Sequence, residues 1–267
     1  MWQEASPVKT NGQAAVLNLF NISKSFGNIQ ALDRVSLEVF SGQVLALVGD
    51  NGAGKSTLIK ILSGVYAADA GEISIRGQVF KHLTPARAMQ SGITTVYQDL
   101  SLVNGRDAVS NVFLGKEHRK AGYFVDRRRM ERETRHLLDR LHINIPSLKV
   151  PVGSLSGGQR QALAVARAIH QGGKIIVLDE PTAAMGIKES QQVMALISNL
   201  REQGYAVVLV SHHLPQVFAL ADRLCIMRHG SLVADLPTGS TNLEEVVALM
   251  TGIKAGLPTE VRKVAGN

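Results

Sequence analysis

Gly49-Asp50-Asn51-Gly52-Ala53-Gly54-Lys55-Ser56 has the residue types and spacing of a phosphate-binding loop, G-x4-G-K-[ST]. Gly49, Asn51, Gly52 and Gly54 form the candidate backbone cradle. Glycines let the chain fold around an anion, so that successive N–H groups point into one concavity at a helix N-terminus. Lys55 adds a point charge for the β- and γ-phosphates. The Ser56 hydroxyl suits a Mg²⁺ ion bridging phosphate oxygens, and Thr57 can donate to another phosphate.

Two further stretches carry chemistry. Ile175-Ile176-Val177-Leu178-Asp179-Glu180 is an apolar run ending in two carboxylates. A strand of this kind delivers its acids to the carboxyl edge of a parallel sheet, where ligands of open α/β folds gather. Asp179 there suits a Mg²⁺ shell, and Glu180 suits a general base for the water attacking a γ-phosphate. Leu155-Ser156-Gly157-Gly158-Gln159-Arg160 is a second glycine turn opening a second helix, again an anion site in physical terms. One nucleotide has no evident need of both glycine turns. His212 and His213 follow another apolar run, but no third ligand is spaced with them, which argues against a metal centre.

These groups need elements to hold them. Apolar alternation over 15–20 and 31–40 predicts two antiparallel strands, and 72–80 a short hairpin. The run 44–48 feeds the loop, and a helix is expected from 54 to 63, ending at Gly64. A buried strand is expected at 93–96. Helical patterns then dominate 108–114 and 126–141, and no comparable strand run returns until 174, the mark of an inserted helical region at about 99–172. Short strands at 175–178 and 206–210 alternate with helices at 187–203 and 214–221, the βαβ signature of a parallel sheet. Tails are expected at 1–14 and 254–267.

Composition bounds the rest. With 267 residues, 45% of them hydrophobic, the chain can bury a large core. Its longest apolar runs are five or six residues, against about 20 for a membrane span. Residues 1–13 are polar, with no secretory signal pattern, so a cytosolic protein is expected. The single Cys225 excludes an internal disulfide, and its apolar surroundings suggest a small core residue. The net charge of +7 raises the question of nucleic acid. Much of the excess lies in 116–140, where Arg127-Arg128-Arg129 mixes with Asp126, Glu131, Glu133 and Asp139 on a helical pattern. With aromatics at 4%, base stacking has little to work with, so a solvated helix face is expected and no nucleic-acid partner.

The phosphate loop, the acidic strand and the LSGGQ turn together make this sequence resemble the ATP-binding-cassette (ABC) transporter ATPases over about 16–250. The resemblance implies an α/β fold: a P-loop NTPase (RecA-like) core, an antiparallel β subdomain and an inserted helical signature subdomain, spanning 15–253. It implies ATP and Mg²⁺ as ligands, and it answers the question of two anion turns. In this family Ser156, Gly157, Gly158 and Gln159 would cap ATP held by the opposite subunit's phosphate loop. Phe26 matches the aromatic that stacks on adenine. Gln98 matches the glutamine that reaches Mg²⁺ and the attacking water, and His212 the histidine that contacts the γ-phosphate. Asp179 and Ser56 would complete the Mg²⁺ shell, with Glu180 as catalytic carboxylate.

One position departs from the pattern. After Pro181-Thr182 the family commonly has Ser-Ala-Leu-Asp, where this chain has Ala183-Ala184-Met185-Gly186. The missing carboxylate bears on coupling between the two sites, and a weakly hydrolytic cassette is one reading of it. Tyr97-Gln98-Asp99-Leu100-Ser101-Leu102-Val103, Asn111-Val112-Phe113-Leu114-Gly115-Lys116-Glu117 and the loop 183–190 resemble monosaccharide importers of the ribose, xylose and fructose type. Such proteins often join two cassettes, whereas this chain has one loop, one signature and one acidic strand. A second copy or another cassette, pairing head to tail, is therefore expected. The further partners implied are a membrane permease and, indirectly, a periplasmic sugar-binding protein, at the cytoplasmic face of the inner membrane. The alternative is a soluble ABC-type ATPase acting on nucleic acid or ribosomes. Such proteins usually carry paired cassettes or a long coiled coil, and neither pattern is present here.

Overall fold

The computed structural model describes residues 14–120 and 122–254. The expected tails, apart from Ala14 and Lys254, lie outside the described residues. In chain order, β1 (Leu17–Phe26) and β2 (Ile29–Val39) precede β3 (Val44–Gly49), which enters α1 (Lys55–Leu62) through the glycine loop. β4 (Ala70–Ile75), β5 (Gln78–Phe80), α2 (Pro85–Gln90) and β6 (Ile93–Val96) follow. The helical region holds α3 (Ala108–Val112), the two-residue strands β7 (Arg119–Lys120) and β8 (Phe124–Val125), α4 (Arg127–Arg140) and α5 (Gly157–His170). β9 (Ile175–Asp179), α6 (Ile187–Glu202), β10 (Ala206–Val210), α7 (Leu214–Leu220), β11 (Arg223–Arg228), β12 (Ser231–Pro237) and α8 (Leu243–Thr251) complete the order.

Two main sheets result. One is antiparallel, with order β2-β1-β4-β5; the other has six strands in the order β12-β11-β3-β10-β9-β6, parallel except for β12. Parallel strands covered on both faces read as continuous apolar runs, and the two faces can be separated by the strand period of two. Val44, Ala46, Val48, Ile176, Leu178, Val207 and Leu209 pack with Leu163, Val165 and Ala166 of α5 and Val193 and Ile197 of α6. Leu45, Leu47, Ile175, Val177, Ala206 and Val208 pack instead with Leu58, Ile59, Ile61 and Leu62 of α1 and with the antiparallel sheet. Full burial of each Leu, Ile or Val side chain contributes about 1.5–3 kcal/mol before the entropy of ordering it is subtracted. The central sheet is thus a partition with α1 on one side and α5 on the other.

The helix expected at 126–141 is present as α4, and a short hairpin precedes it in the basic stretch. Gly122 has a φ of 80°, a left-handed conformation that turns β7 into β8, and the helix begins only after Asp126, whose carboxylate accepts from Arg129 N–H at 3.0 Å. Three arginines of this stretch have acid partners nearby: Arg127 pairs with Asp107 and also donates to Ser110, Arg129 pairs with Glu133 at 2.8 Å and Arg135 with Glu131 at 3.5 Å. Cys225 lies fully buried in β11, and burial pushes its thiol well above the ordinary range, so it is an inert core residue. Arg223, also in β11, is buried with Asp235 at 2.5 Å and donates to Glu38 O at 3.0 Å, fastening β11 and β12 to β2.

Candidate functional site

The strand order β3-β10-β9-β6 brings the chemical groups into one row along the carboxyl edge. The glycine loop leaves β3, His212 follows β10, Asp179 ends β9 with Glu180 next to it, and Gln98 lies two residues beyond β6. At about 4.8 Å per strand the row spans roughly 15 Å. Nothing in local sequence requires this neighbourhood; strand pairing creates it.

The loop is shaped by contact as well as by glycine freedom. Gly54, at φ 102°, is the N-cap of α1 with no side-chain cap, and a Cβ there would lie 2.6 Å from Ala31 O and 2.8 Å from Leu32 Cδ2. At Gly49 a Cβ would collide with Met227 O. Lys55 Nζ folds back to donate to Gly49 O at 2.6 Å and Asp50 O at 2.9 Å. Burial lowers its pKa, while the charges of Glu180, Asp50 and Asp179 act the other way. Asp179 is raised by burial and then by Glu180, against Lys55 and Lys60. The ammonium and the carboxylates therefore share one partly desolvated pocket.

Glu180 occupies a left-handed backbone conformation at φ 49°, which costs about 1 kcal/mol or more for a residue with a side chain. Its N–H donates to Val210 O at 2.9 Å, and its Oε1 lies 2.8 Å from His212 Nδ1. The His212 ring is 72% exposed while the Glu180 side chain is only 20% exposed, so the imidazole covers the carboxylate from the solvent side. His213 serves the backbone instead, since its Nδ1 accepts from Gln216 N–H at 3.4 Å and caps α7.

Ser56, Gln98 and Asp179 offer a hard oxygen donor set. Ser56 and Gln98 are exposed, and among the described residues no group of three or more His, Cys, Asp or Glu could hold a metal ion unaided. A few oxygens beside a phosphate cradle fit Mg²⁺, which keeps most of its shell in water and substrate phosphates. Phe26 closes β1 with its ring 43% exposed, buttressed edge-on by Tyr66 at 5.2 Å and by Lys24 Nζ at 5.4 Å. A flat aromatic face is thus available beside the loop's helix.

The LSGGQ turn is placed elsewhere. Ser156 is the N-cap of α5, its Oγ accepting from Gln159 N–H at 3.3 Å while Gln159 Oε1 accepts from Ser156 N–H at 3.0 Å. Gln159 Nε2 also reaches Asn144 O at 3.3 Å. Gly157 and Gly158 pack against α6, where a Cβ on Gly158 would lie 3.2 Å from Glu189 O. Because α5 and α1 cover opposite faces of the central sheet, the two glycine turns do not close on a common ligand within one chain.

Three groups act here in roles that the sequence does not announce. Tyr66 supports Phe26. Tyr97 donates to Ser63 Oγ at 2.7 Å, at the end of α1, and Arg167 of α5 donates to Leu100 O at 2.7 Å and Ser101 O at 2.8 Å. The loop carrying Gln98 is therefore tied at one end to the phosphate-loop helix and at the other to the signature helix. An Arg in the last turn of a helix ordinarily reads as a dipole partner, and nothing in its spacing announces this role.

Comparison with known proteins agrees with this geometry. The ABC transporter family profile matches residues 32–183. The chain is 41% identical over 241 residues to the xylose/arabinose import ATP-binding protein of Sulfolobus acidocaldarius, covering 90% of this chain and 96% of that one. It is 42% identical to the fructose import ATP-binding protein of Rhizobium meliloti, covering 91% and 96%. Against the ribose import ATP-binding protein of Yersinia pestis identity is 40%, but 89% of this chain spans only 46% of that protein. Among solved structures, a nucleotide-free ATP-binding cassette of an ABC transporter superposes with a TM-score of 0.77 at 26% identity, covering 89% and 96%. A dimeric cassette bound to ADP and phosphate after hydrolysis gives 0.69 at 27%, covering 83% and 98%. Fold and site define an ATP-hydrolysing cassette. The chain belongs to the ABC transporter family.

Proposed function

We propose that this chain is the energy-supplying subunit of a monosaccharide importer, hydrolysing MgATP in two composite sites formed when two cassettes pair head to tail beneath a separate permease. The observation that carries the reading is the separation of the two glycine turns onto opposite faces of one sheet, which leaves each cassette with half of two sites. The xylose/arabinose, fructose and ribose import proteins to which it is similar support the substrate class. No helix among the described residues is long and apolar enough to cross a membrane. The working position is peripheral, on the cytoplasmic face of the inner membrane, with a periplasmic sugar-binding protein acting through the permease.

In this reading, Gly49, Asn51, Gly52, Gly54 and Lys55 hold the β- and γ-phosphates, Thr57 donates to a further phosphate oxygen, and Phe26 stacks on adenine. Ser56, Gln98 and Asp179 would hold Mg²⁺, which when bound neutralises charge on the phosphate oxygens. Glu180 orients the attacking water as general base, and His212 fixes that carboxylate while presenting its ring to the γ-phosphate. The partner's Ser156 to Gln159 segment closes the site. Contacts made only in the closed dimer shift the population toward closure, and hydrolysis removes them.

The test is ATPase activity of the chain assembled with its permease and sugar-loaded binding protein, together with the dimeric state of a Glu180→Gln variant. Sugar-stimulated turnover and an ATP-bound Glu180→Gln dimer are expected. Absence of hydrolysis in every assembly, with no trapped dimer, sinks the reading.

A further inference from the structure

Glu189 is given no role in the site described above, yet it joins two of its parts. Its Oε1 accepts from Gly157 N–H at 3.0 Å, and its Oε2 from Gly186 N–H at 3.3 Å. Gly157 opens α5, and Gly186 is the N-cap of α6 at the end of the loop that starts with Glu180. Both are orphan donors at helix N-termini, where partial positive charge gathers, so one carboxylate satisfies two helices at once. A Cβ on Gly157 would sit 3.4 Å from Glu189 Oε2, in van der Waals contact, so the carboxylate packs closely on the start of α5. The loop back to Glu180 is short and braced: Ala183 N–H donates to Glu180 O at 3.1 Å, Met185 N–H to Thr182 O at 3.3 Å, and Thr182 Oγ1 to Gln216 Oε1 at 2.6 Å.

We propose that Glu189 is a positioning residue that couples occupancy of the signature turn to the catalytic carboxylate Glu180, an intrachain substitute for the acid absent at Gly186. The proposal rests on the reading of Ser156 to Gln159 as the half-site for a partner's ATP. In the first turn of α5, Glu189 takes Gly157 N–H, Ser156 Oγ takes Gln159 N–H and Ser156 O takes Arg160 N–H. Gly158 N–H takes no acceptor among the described residues but belongs to a buried residue, so the exposed Ser156 hydroxyl is the first group a partner's phosphate oxygen would meet, with Gly158 N–H behind it. Phosphate arriving there brings a second anion to a helix end that Glu189 already occupies, and like charges repel. The carboxylate then yields Gly157 and holds Gly186, moving the start of α6 and the braced loop behind Glu180. The element has two discrete arrangements, biased by the partner's nucleotide.

Glu189→Gln is the discriminating variant. An amide has one oxygen to accept with and an NH₂ that cannot accept, so it holds one N–H of the two, without charge. Turnover should fall about tenfold, by analogy with other positioning groups. Binding of a fluorescent ATP analogue to the isolated chain should stay unchanged, since the phosphate loop lies across the sheet. In the Glu180→Gln background, adding Glu189→Gln should let the ATP-bound dimer form at severalfold lower ATP, because the opposing anion is gone. A plain structural cap predicts the reverse, a looser turn and closure at higher ATP; that result, or unchanged turnover, overturns the proposal. Should Glu189→Gln not fold, Glu189→Asp decides: its shorter carboxylate loses one helix end but keeps its charge, so lower turnover at an unchanged closure threshold supports coupling, and unchanged turnover overturns it. If Glu180→Gln with Glu189 intact forms no ATP dimer, the half-site reading falls and the coupling with it.

Discussion

The N-termini of α1 and α5 begin from similar sequences, Gly52-Ala53-Gly54-Lys55 and Ser156-Gly157-Gly158-Gln159, and are finished in opposite ways. At α1 the cap is a left-handed glycine without a side chain, and no acid sits in the first turn. The nearby cation, Lys55, is occupied with two backbone carbonyls of its own loop. At α5 a complete capping box and the Glu189 carboxylate satisfy most of the first-turn donors from within the chain. Orphan N–H groups seek acceptors. The first end therefore waits for a polyphosphate, and the second, already capped, has little more than Gly158 N–H and the Ser156 hydroxyl to offer. One turn is built to cradle and the other to close a site cradled elsewhere.

That contrast can be broken most sharply at Lys55. Lys55→Ala removes the cradle's charge, and ATP affinity should drop by about a hundredfold or more in a nucleotide titration, by the magnitude of lost electrostatic contacts in phosphate-handling sites. Gly54→Ala comes next. The added Cβ meets backbone of β2 that cannot retreat, so the chain should lose about 2 kcal/mol or more in denaturant unfolding and bind nucleotide poorly. On the other side, Ser156→Ala should cost about 1 kcal/mol of stability as a lost N-cap and lower turnover while leaving ATP binding by the isolated chain intact. Equal losses of ATP binding from Ser156→Ala and Lys55→Ala would erase the distinction between the two ends.

Smaller effects sharpen the picture. Asp179 has its pKa raised above 3.8 by burial and by Glu180, so its ionised form costs the nucleotide-free fold stability. Native Asp179 holds its proton to higher pH than the unfolded chain does, and its penalty grows as pH rises through that window. Asp179→Asn should therefore raise the melting temperature of the nucleotide-free chain near neutral pH, by an increment that shrinks as pH falls, while weakening Mg²⁺-dependent ATP binding. Gly186→Asp is expected to have the smallest effect on folding, because nothing lies within 4 Å of a Cβ there and φ is −70°. If Glu189 already supplies the coupling, turnover should change by less than about threefold; a larger rise would show that the missing acid limits the wild-type chain.

Much of the central sheet was legible because parallel strands buried on both faces must be apolar along their whole length, as in 44–48, 175–178 and 206–210. The glycine loop and the two carboxylates of 179–180 were legible for a different reason, that phosphate chemistry tolerates few substitutes. β12 and α8 gave weaker signals: β12 is half-exposed along most of its length, and α8 is short. The hairpin β7-β8 carried no strand pattern, since each of its strands is only two residues long. Glu189 was invisible as a functional group, since an acid in the first turn of a helix is an ordinary capping choice.

What the sequence determined by itself was which groups can bind phosphate and do hydrolytic chemistry, because side-chain type and backbone freedom are local properties. Tertiary structure alone decided where those groups meet. Strand order set His212, Glu180 and Gln98 in one row beside the glycine loop, and the two-sided packing of a buried sheet put α1 and α5 on opposite faces. Pairing and packing between distant segments depend on which surfaces bury each other, and no stretch of the chain encodes that alone.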